Sequence, residues 1–321
     1  MKEKVTGILM HLSYNMWTDV TDSPHVYRDY YKGKTLILDQ ETWDDSIAYA
    51  AECGLNTILI DLGDGVQYES HPEIAVEGAF SVAKLKEELA KIRSLGMTPL
   101  PKLNFSTSHD AWLGEYHKMV STKIYYQVCK DLIHEVIDIF EVPPYFHLGL
   151  DEERAEEQHD SGSEFICYRR GNLLWQDLQF YFDCVKEKGV TPWIWADHFW
   201  YFPEEFVKRI PKDVVVSPWY YDHIFGNDVP NIEFRKTMRE SFKKLAKAGY
   251  KVIPCGGNVW RAKATKHLFQ FIKEQNMAES VGGYLATTWY PTKKEHKMTI
   301  KDCIYLTKNA VEEDRKNGGI L

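Results

Sequence analysis

Carboxylates, histidines and tryptophans recur together at a few points of this chain. The densest is His147-Leu148-Gly149-Leu150-Asp151-Glu152-Glu153-Arg154, one imidazole followed by three consecutive acids. Paired acids can divide proton transfer from charge stabilisation, the work that glycosidic bond cleavage requires. Other clusters mix the same ingredients: Trp193-Ile194-Trp195-Ala196-Asp197-His198, Trp219-Tyr220-Tyr221-Asp222, Asn258-Val259-Trp260-Arg261 and Thr288-Trp289-Tyr290. Indole faces beside acids, amides and imidazoles suit a sugar, whose C–H faces pack on rings while its hydroxyls take hydrogen bonds. The expected catalytic pair is Asp151 and Glu152. The expected substrate contacts are His147, Trp195, Asp197, Trp219, Tyr220, Asp222, Trp289, Asn104, His109, His11, Tyr14 and Arg261.

These clusters need elements that bring them to one place. Eight short apolar runs alternate with amphipathic stretches: Val5–Leu12, Asn56–Gly63, Met97–Phe105, Tyr145–Glu152, Thr191–His198, Val214–Asp222, Lys251–Val259 and Val281–Tyr290. Runs of this length and composition are expected of strands buried on both faces. The intervening helices are expected at Trp43–Cys53, Ser81–Leu95, Thr122–Phe140, Asn172–Lys188, Glu204–Ile210, Phe234–Ala248, Ala264–Asn276 and Thr299–Lys316. Gly54, Gly96, Gly189 and Gly249 supply helix stops. Strict strand–helix alternation predicts an α/β fold, one (β/α)8 TIM barrel over residues 1–321. In that fold reactive groups gather where strands end, and every cluster above lies at such an end. The segments Val20–Lys34 and Arg154–Arg170 are expected to close over the mouth and set specificity.

Composition narrows the partners. The 321 residues carry a net charge of −8, which offers no attraction for nucleic acid or an anionic membrane surface. No apolar stretch is long enough to span a bilayer. Six cysteines without a close pair are expected as buried free thiols in a reducing compartment, hence a cytoplasmic protein. The expected partner is a carbohydrate. No cofactor or metal is expected, because the chain has neither a GxGxxG loop after its first strand nor an HExxH motif.

The run His147-x-Gly149-Leu150-Asp151-Glu152 resembles the His-x-Gly-Gly-Asp-Glu signature of family-20 β-N-acetylhexosaminidases. The resemblance implies that Asp151 orients the substrate's 2-acetamido group, that Glu152 is the general acid/base, and that the acetamide oxygen is the nucleophile. Tyr220-x-Asp222 is similar to the family's Tyr-x-Asp, Trp195-x-Asp197 to its Trp-x-Glu, and Trp289 to the wall supplied by its last strand. Asn104 and His109 echo its third strand more faintly. The chain departs from the pattern at Leu150, at Tyr290-Pro291 where an acid is expected, and at the first strand, where His11 or Tyr14 replaces an arginine. The family's N-terminal α/β domain has no counterpart.

Glu152 must hold a proton near neutral pH, a rise of about two units or roughly 3 kcal/mol. Burial among Trp195, Trp219 and Trp289, with Asp151 and Glu153 as negative neighbours, is expected to provide it. Adjacent strand residues point to opposite faces, so Asp151 and Glu152 share a pocket only if the strand ends or twists before them. The alternative is that Glu152 and Glu153 are solvated acids feeding Arg154. Two other functions fit the composition: a metal-dependent hydrolase, lyase or isomerase using His11, Asp61, His147 and His198, and a non-catalytic carbohydrate-binding barrel.

Overall fold

A computed structural model describes residues 4–18, 33–160, 163–222, 232–259 and 261–321. Its main sheet has eight parallel strands. These are β1 (Val5–His11), β2 (Thr57–Asp61), β3 (Thr98–Lys102), β4 (Tyr145–His147), β5 (Thr191–Trp195), β6 (Val215–Ser217), β7 (Cys255–Gly257) and β8 (Gly283–Thr287). Their order is sequential, with β1 between β2 and β8. Single bridges, Val216 to Val252 and Trp219 to Cys255, join β6 to the β7 side and complete the circle. The expected (β/α)8 barrel is therefore the fold.

Alternation along each strand separates two cores. One set, including Ile8, Ile58, Ile60, Ile194 and Val216, packs outward against the helices. The other takes residues from every strand, among them Leu9, Leu59, Leu100, Tyr145, Trp193, Val215, Ile253 and Leu285, and fills the barrel axis. Two positions further along, the same inward parity carries His11, Asp61, Lys102, His147, Ser217 and Thr287, all buried. The plug is thus apolar below and polar at the C-terminal end of the strands.

The helices that brace this barrel start at side-chain caps. Asp39 accepts from Thr42 N before α1 (Gln40–Glu52), Ser81 from Lys84 N before α2 (Val82–Ser94), and Thr122 from Tyr125 N before α3 (Lys123–Ile139). Each such cap stabilises its helix by about 1 kcal/mol. On α3 a stripe of Tyr125, Val128, Leu132, Val136 and Ile139 is buried. The β4 crossover holds α4 (Ala155–Asp160) and α5 (Asn172–Glu187), and the β5 crossover holds α6 (His198–Tyr201) and α7 (Pro203–Arg209). The remaining helices are α8 (Ile232–Lys247), α9 (Ala264–Glu274) and α10 (Lys297–Lys316).

Two expectations need correction. The fourth and sixth runs are strand only as far as His147 and Ser217, short of the expected Glu152 and Asp222. The cysteines are all unpaired, yet only Cys129, Cys184, Cys255 and Cys303 are buried; Cys53 and Cys167 are partly exposed. Most of the segment Val20–Lys34, residues 20–32, lies outside the described residues, as does Trp260.

Candidate active site

The chain leaves β4 through a tight coil. Gly149, Leu150 and Glu152 all have positive φ, at 71°, 65° and 54°. A Cβ on Gly149 would lie 1.8 Å from Asn104 Oδ1, so only glycine fits there. Leu150 occupies a left-handed position where the signature has its second glycine. These turns abolish strand alternation. Asp151 and Glu152 consequently approach the same atom: His109 Nε2 lies 3.5 Å from Asp151 Oδ2 and 3.1 Å from Glu152 Oε2.

Loop residues after β3 hold this coil. Asn104 Nδ2 donates to Asp151 Oδ1 at 2.9 Å, while its Oδ1 accepts from the Ser106 and Leu150 amides at 3.0 and 3.2 Å. The Ser106 hydroxyl donates to the Asp151 carbonyl and the Ser108 hydroxyl to the Glu152 carbonyl. Asp197, after β5, accepts from the Glu152 amide at 2.9 Å.

Charge follows geometry. Burial would raise the Asp151 carboxyl, but the charge and hydrogen bond of His109, with help from Lys102 and Asn104, bring it down to about 2. Burial would likewise suppress the His109 cation, yet Asp151 and Glu152 outweigh it and push its pKa up to about 10. The site thus holds an ionised Asp151 against an imidazolium at neutral pH. Asp197 is pushed well above the usual carboxylate range, first by burial and then by the neighbouring Asp151 charge.

An aromatic wall stands beside the acids. Trp289 lies 5.8 Å from Trp195, 6.0 Å from Trp17 and 6.5 Å from Tyr221 between ring centroids. The Tyr14 hydroxyl donates to the Trp289 carbonyl at 2.6 Å, and the His11 ring is 5.0 Å from Tyr14. Below, Lys102 Nζ is bonded to Asp61 Oδ2 at 2.5 Å, with His11 Nδ1 3.6 Å from the same oxygen. His147 spends Nδ1 on the Gly149 amide at 3.0 Å, and its ring is 4.4 Å from Trp195. Burial first, then the Lys102 charge, lowers the pKa of both His11 and His147, leaving them neutral. His147 Nε2, both His11 nitrogens and Trp195 Nε1 are buried without a hydrogen-bond partner. Buried polar atoms are ordinarily satisfied, so this concentration marks a place for a polar ligand.

Several expected residues are placed differently. Tyr220 joins the core on the helix side of the sheet, and the inward position belongs to Tyr221, which accepts from Thr287 Oγ1 at 3.1 Å and stacks on Trp219 at 5.5 Å. Asp222 shares the outward parity of Tyr220 and pairs with Arg235 of α8 at 2.8 Å. Arg261 is exposed on the rim. Glu152 is not enclosed by indoles, since its side chain is 36% exposed. Glu153 is neither solvated nor paired with Arg154. Its carboxylate is buried and meets Arg169 at 2.7 Å, and Arg169 also meets Asp177 at 3.0 Å. Arg154 instead pairs with Glu156 and lies over the Tyr201 ring. The four residues named for a metal do not converge. Asp61 is taken by Lys102, and His198 packs against Trp175 and Phe202. Among the described residues no group of three or more His, Cys, Asp or Glu could hold a metal ion.

Sequence reasoning missed Arg169, Lys102, Tyr221 and Trp17. Tyr221 stood in the cluster that ends the sixth run and Lys102 in the third run, so both carried a signal; Trp17 and Arg169 lie outside runs and clusters and carried none.

The model of the glycosyl hydrolase family 20 catalytic domain matches residues 81–303. The chain belongs to that family. The match begins at the start of α2 and runs into α10, so it takes in β3 to β8 and both acids that meet His109. The family barrel is also the fold found among solved structures. An exo-β-N-acetylglucosaminidase from Vibrio harveyi is 12% identical with a TM-score of 0.59, covering 98% of this chain and 57% of its own. A Flavobacterium johnsoniae chitobiase is 13% identical with a TM-score of 0.64, covering 97% and 51%. A β-N-acetylhexosaminidase from Bacteroides fragilis is 14% identical with a TM-score of 0.61, covering 96% and 65%. The chain therefore spans a little over half the length of the first two. A sequence search of curated proteins finds no match. Among the described residues no helix is long and apolar enough to cross a membrane.

Proposed function

We propose that this family-20 chain is a glycosidase that removes a β-linked N-acetylhexosamine by substrate assistance. The observation that carries the reading is the convergence of Asp151 and Glu152 on one His109 nitrogen, beside a wall of indoles. Ionised Asp151 accepts the acetamide N–H and turns the acetamide oxygen toward the anomeric carbon. Glu152 protonates the leaving oxygen, and a proton shared along its 3.1 Å contact with His109 is the acid at hand. The same carboxylate then activates the water that opens the cyclic intermediate. Tyr221, on the inward face, rather than Tyr220, is the tyrosine placed to bond the acetamide oxygen. The unpartnered donors on His147, His11 and Trp195 suit sugar hydroxyls. Unpaired thiols favour a reducing compartment for the protein.

The test is turnover of nitrophenyl β-GlcNAc and β-GalNAc. Wild type is expected to release nitrophenol, and Glu152→Gln to lose about 10³-fold in kcat. Turnover that survives this substitution counts against the assignment. Sugar binding without turnover by the wild type would favour a non-catalytic carbohydrate-binding barrel.

A further inference from the structure

Asp197 is 3% exposed and feels the charges of three other acids, yet it is hydrogen-bonded to none of their carboxylates. Its Oδ2 accepts from the Glu152 backbone N–H at 2.9 Å, and its Oδ1 has no partner. Glu152 needs that acceptor. Its φ of 54° is a left-handed conformation that costs a non-glycine residue about 1–2 kcal/mol. The amide is held on one side by Asp197 and the carbonyl on the other by Ser108, so the residue is clamped at both ends of its own backbone. The clamp turns the side chain toward His109 rather than to the opposite face.

We propose that Asp197 is a positioning residue for Glu152, acting through the backbone amide and not as a ligand of the sugar. The catalytic part of this proposal rests on the hydrolase reading; the positioning part does not. Burial first, and then the charges of Asp151, Glu157 and Glu152, push the Asp197 carboxyl well above its usual range. The Glu152 amide needs only an oxygen acceptor at that point, which the side-chain carbonyl of an asparagine also supplies.

Two measurements test this. Asp197→Ala is expected to lower kcat about 100-fold with KM within about threefold, the signature of a misplaced catalytic group. Asp197→Asn is expected to return kcat to within about fivefold of wild type. Independently of activity, hydrogen exchange at the Glu152 amide should accelerate about tenfold or more in Asp197→Ala and remain slow in Asp197→Asn. If the alanine variant does not fold, Asp197→Ser, whose hydroxyl stops short of the amide, replaces it. A Glu152 amide that stays protected without the Asp197 carboxylate overturns the proposal, as does a loss confined to KM. A wild type without turnover, in which the Glu152 amide still opens on substitution, refutes the hydrolase reading and leaves the positioning role intact.

Discussion

The ends of β4 and β6 carry motifs of similar make, an aromatic or imidazole ring followed by acids, and the structure treats them differently. After β4, three left-handed residues break the alternation, and neighbouring side chains meet at one imidazole. After β6 the alternation persists, so Tyr221 turns inward while Tyr220 and Asp222 turn out toward α8. The β4 coil is further locked by a buried network, Glu153 to Arg169 to Asp177, whereas the β6 acid meets an arginine whose side chain is 29% exposed. Composition brings a residue to the mouth of a barrel; backbone parity decides whether it enters.

The contrast can be broken in four ways. The largest effect is expected from pH, because the β4 site is built on ionised partners. His109 titrates at about 10 instead of 6.5, so its contribution to stability is complete below pH 6.5 and disappears as the pH climbs to about 10. Asp151, held at about 2 instead of 3.8, contributes above pH 3.8 and loses that contribution as the pH falls to about 2. Denaturant midpoints across pH should therefore decline on both sides, and His109→Gln should flatten the alkaline limb. An unchanged alkaline limb would mean that the cluster does not hold the charge assigned to it.

Next comes the buried network. Arg169→Met leaves Glu153 and Asp177 without their cation and is expected to cost about 3–5 kcal/mol. Arg235→Met, at the β6 end, is expected to cost about 1 kcal/mol or less. Equal losses in urea titrations would erase the distinction between the two ends. The third comparison lies within β6. Tyr221→Phe should lower kcat/KM about tenfold, near 1.4 kcal/mol, and Tyr220→Phe should change it less than about twofold. The reverse ranking would restore Tyr220 to the site. The smallest effect belongs to Leu150→Gly. Relief of the left-handed strain, about 1–2 kcal/mol, opposes the loss of a buried side chain, about 1.5–3 kcal/mol. The net destabilisation should stay near 1 kcal/mol with activity unchanged, and a large loss of turnover would show that this departure from the signature is functional.

Much of this was legible in the residues. The eight runs and the glycines that end the helices specify the barrel, because each is a local signal of burial or of a required positive φ. The acids of the fourth run were legible for the same reason, with Gly149 announcing the turn that brings them together. The sixth run was not. Val214 to Tyr221 is apolar almost throughout, and a strand buried on both faces hides which parity faces the axis. Arg169 was illegible because its partner Glu153 lies 16 residues away across a loop without periodicity. The surroundings of Glu152 were not legible because indoles that share a sequence pattern need not share a place, and its carboxylate meets the His109 ring instead.

The bond from the Tyr14 hydroxyl to the Trp289 carbonyl joins residues 275 positions apart. Closing a loop of that length costs more chain entropy than any local contact, and chains rich in such contacts fold slowly. The indole wall is therefore expected to form late. A refolding chain should recover its helical signal well before the signal of its packed indoles, since β1 and β8 must both be in place before Tyr14 meets Trp289.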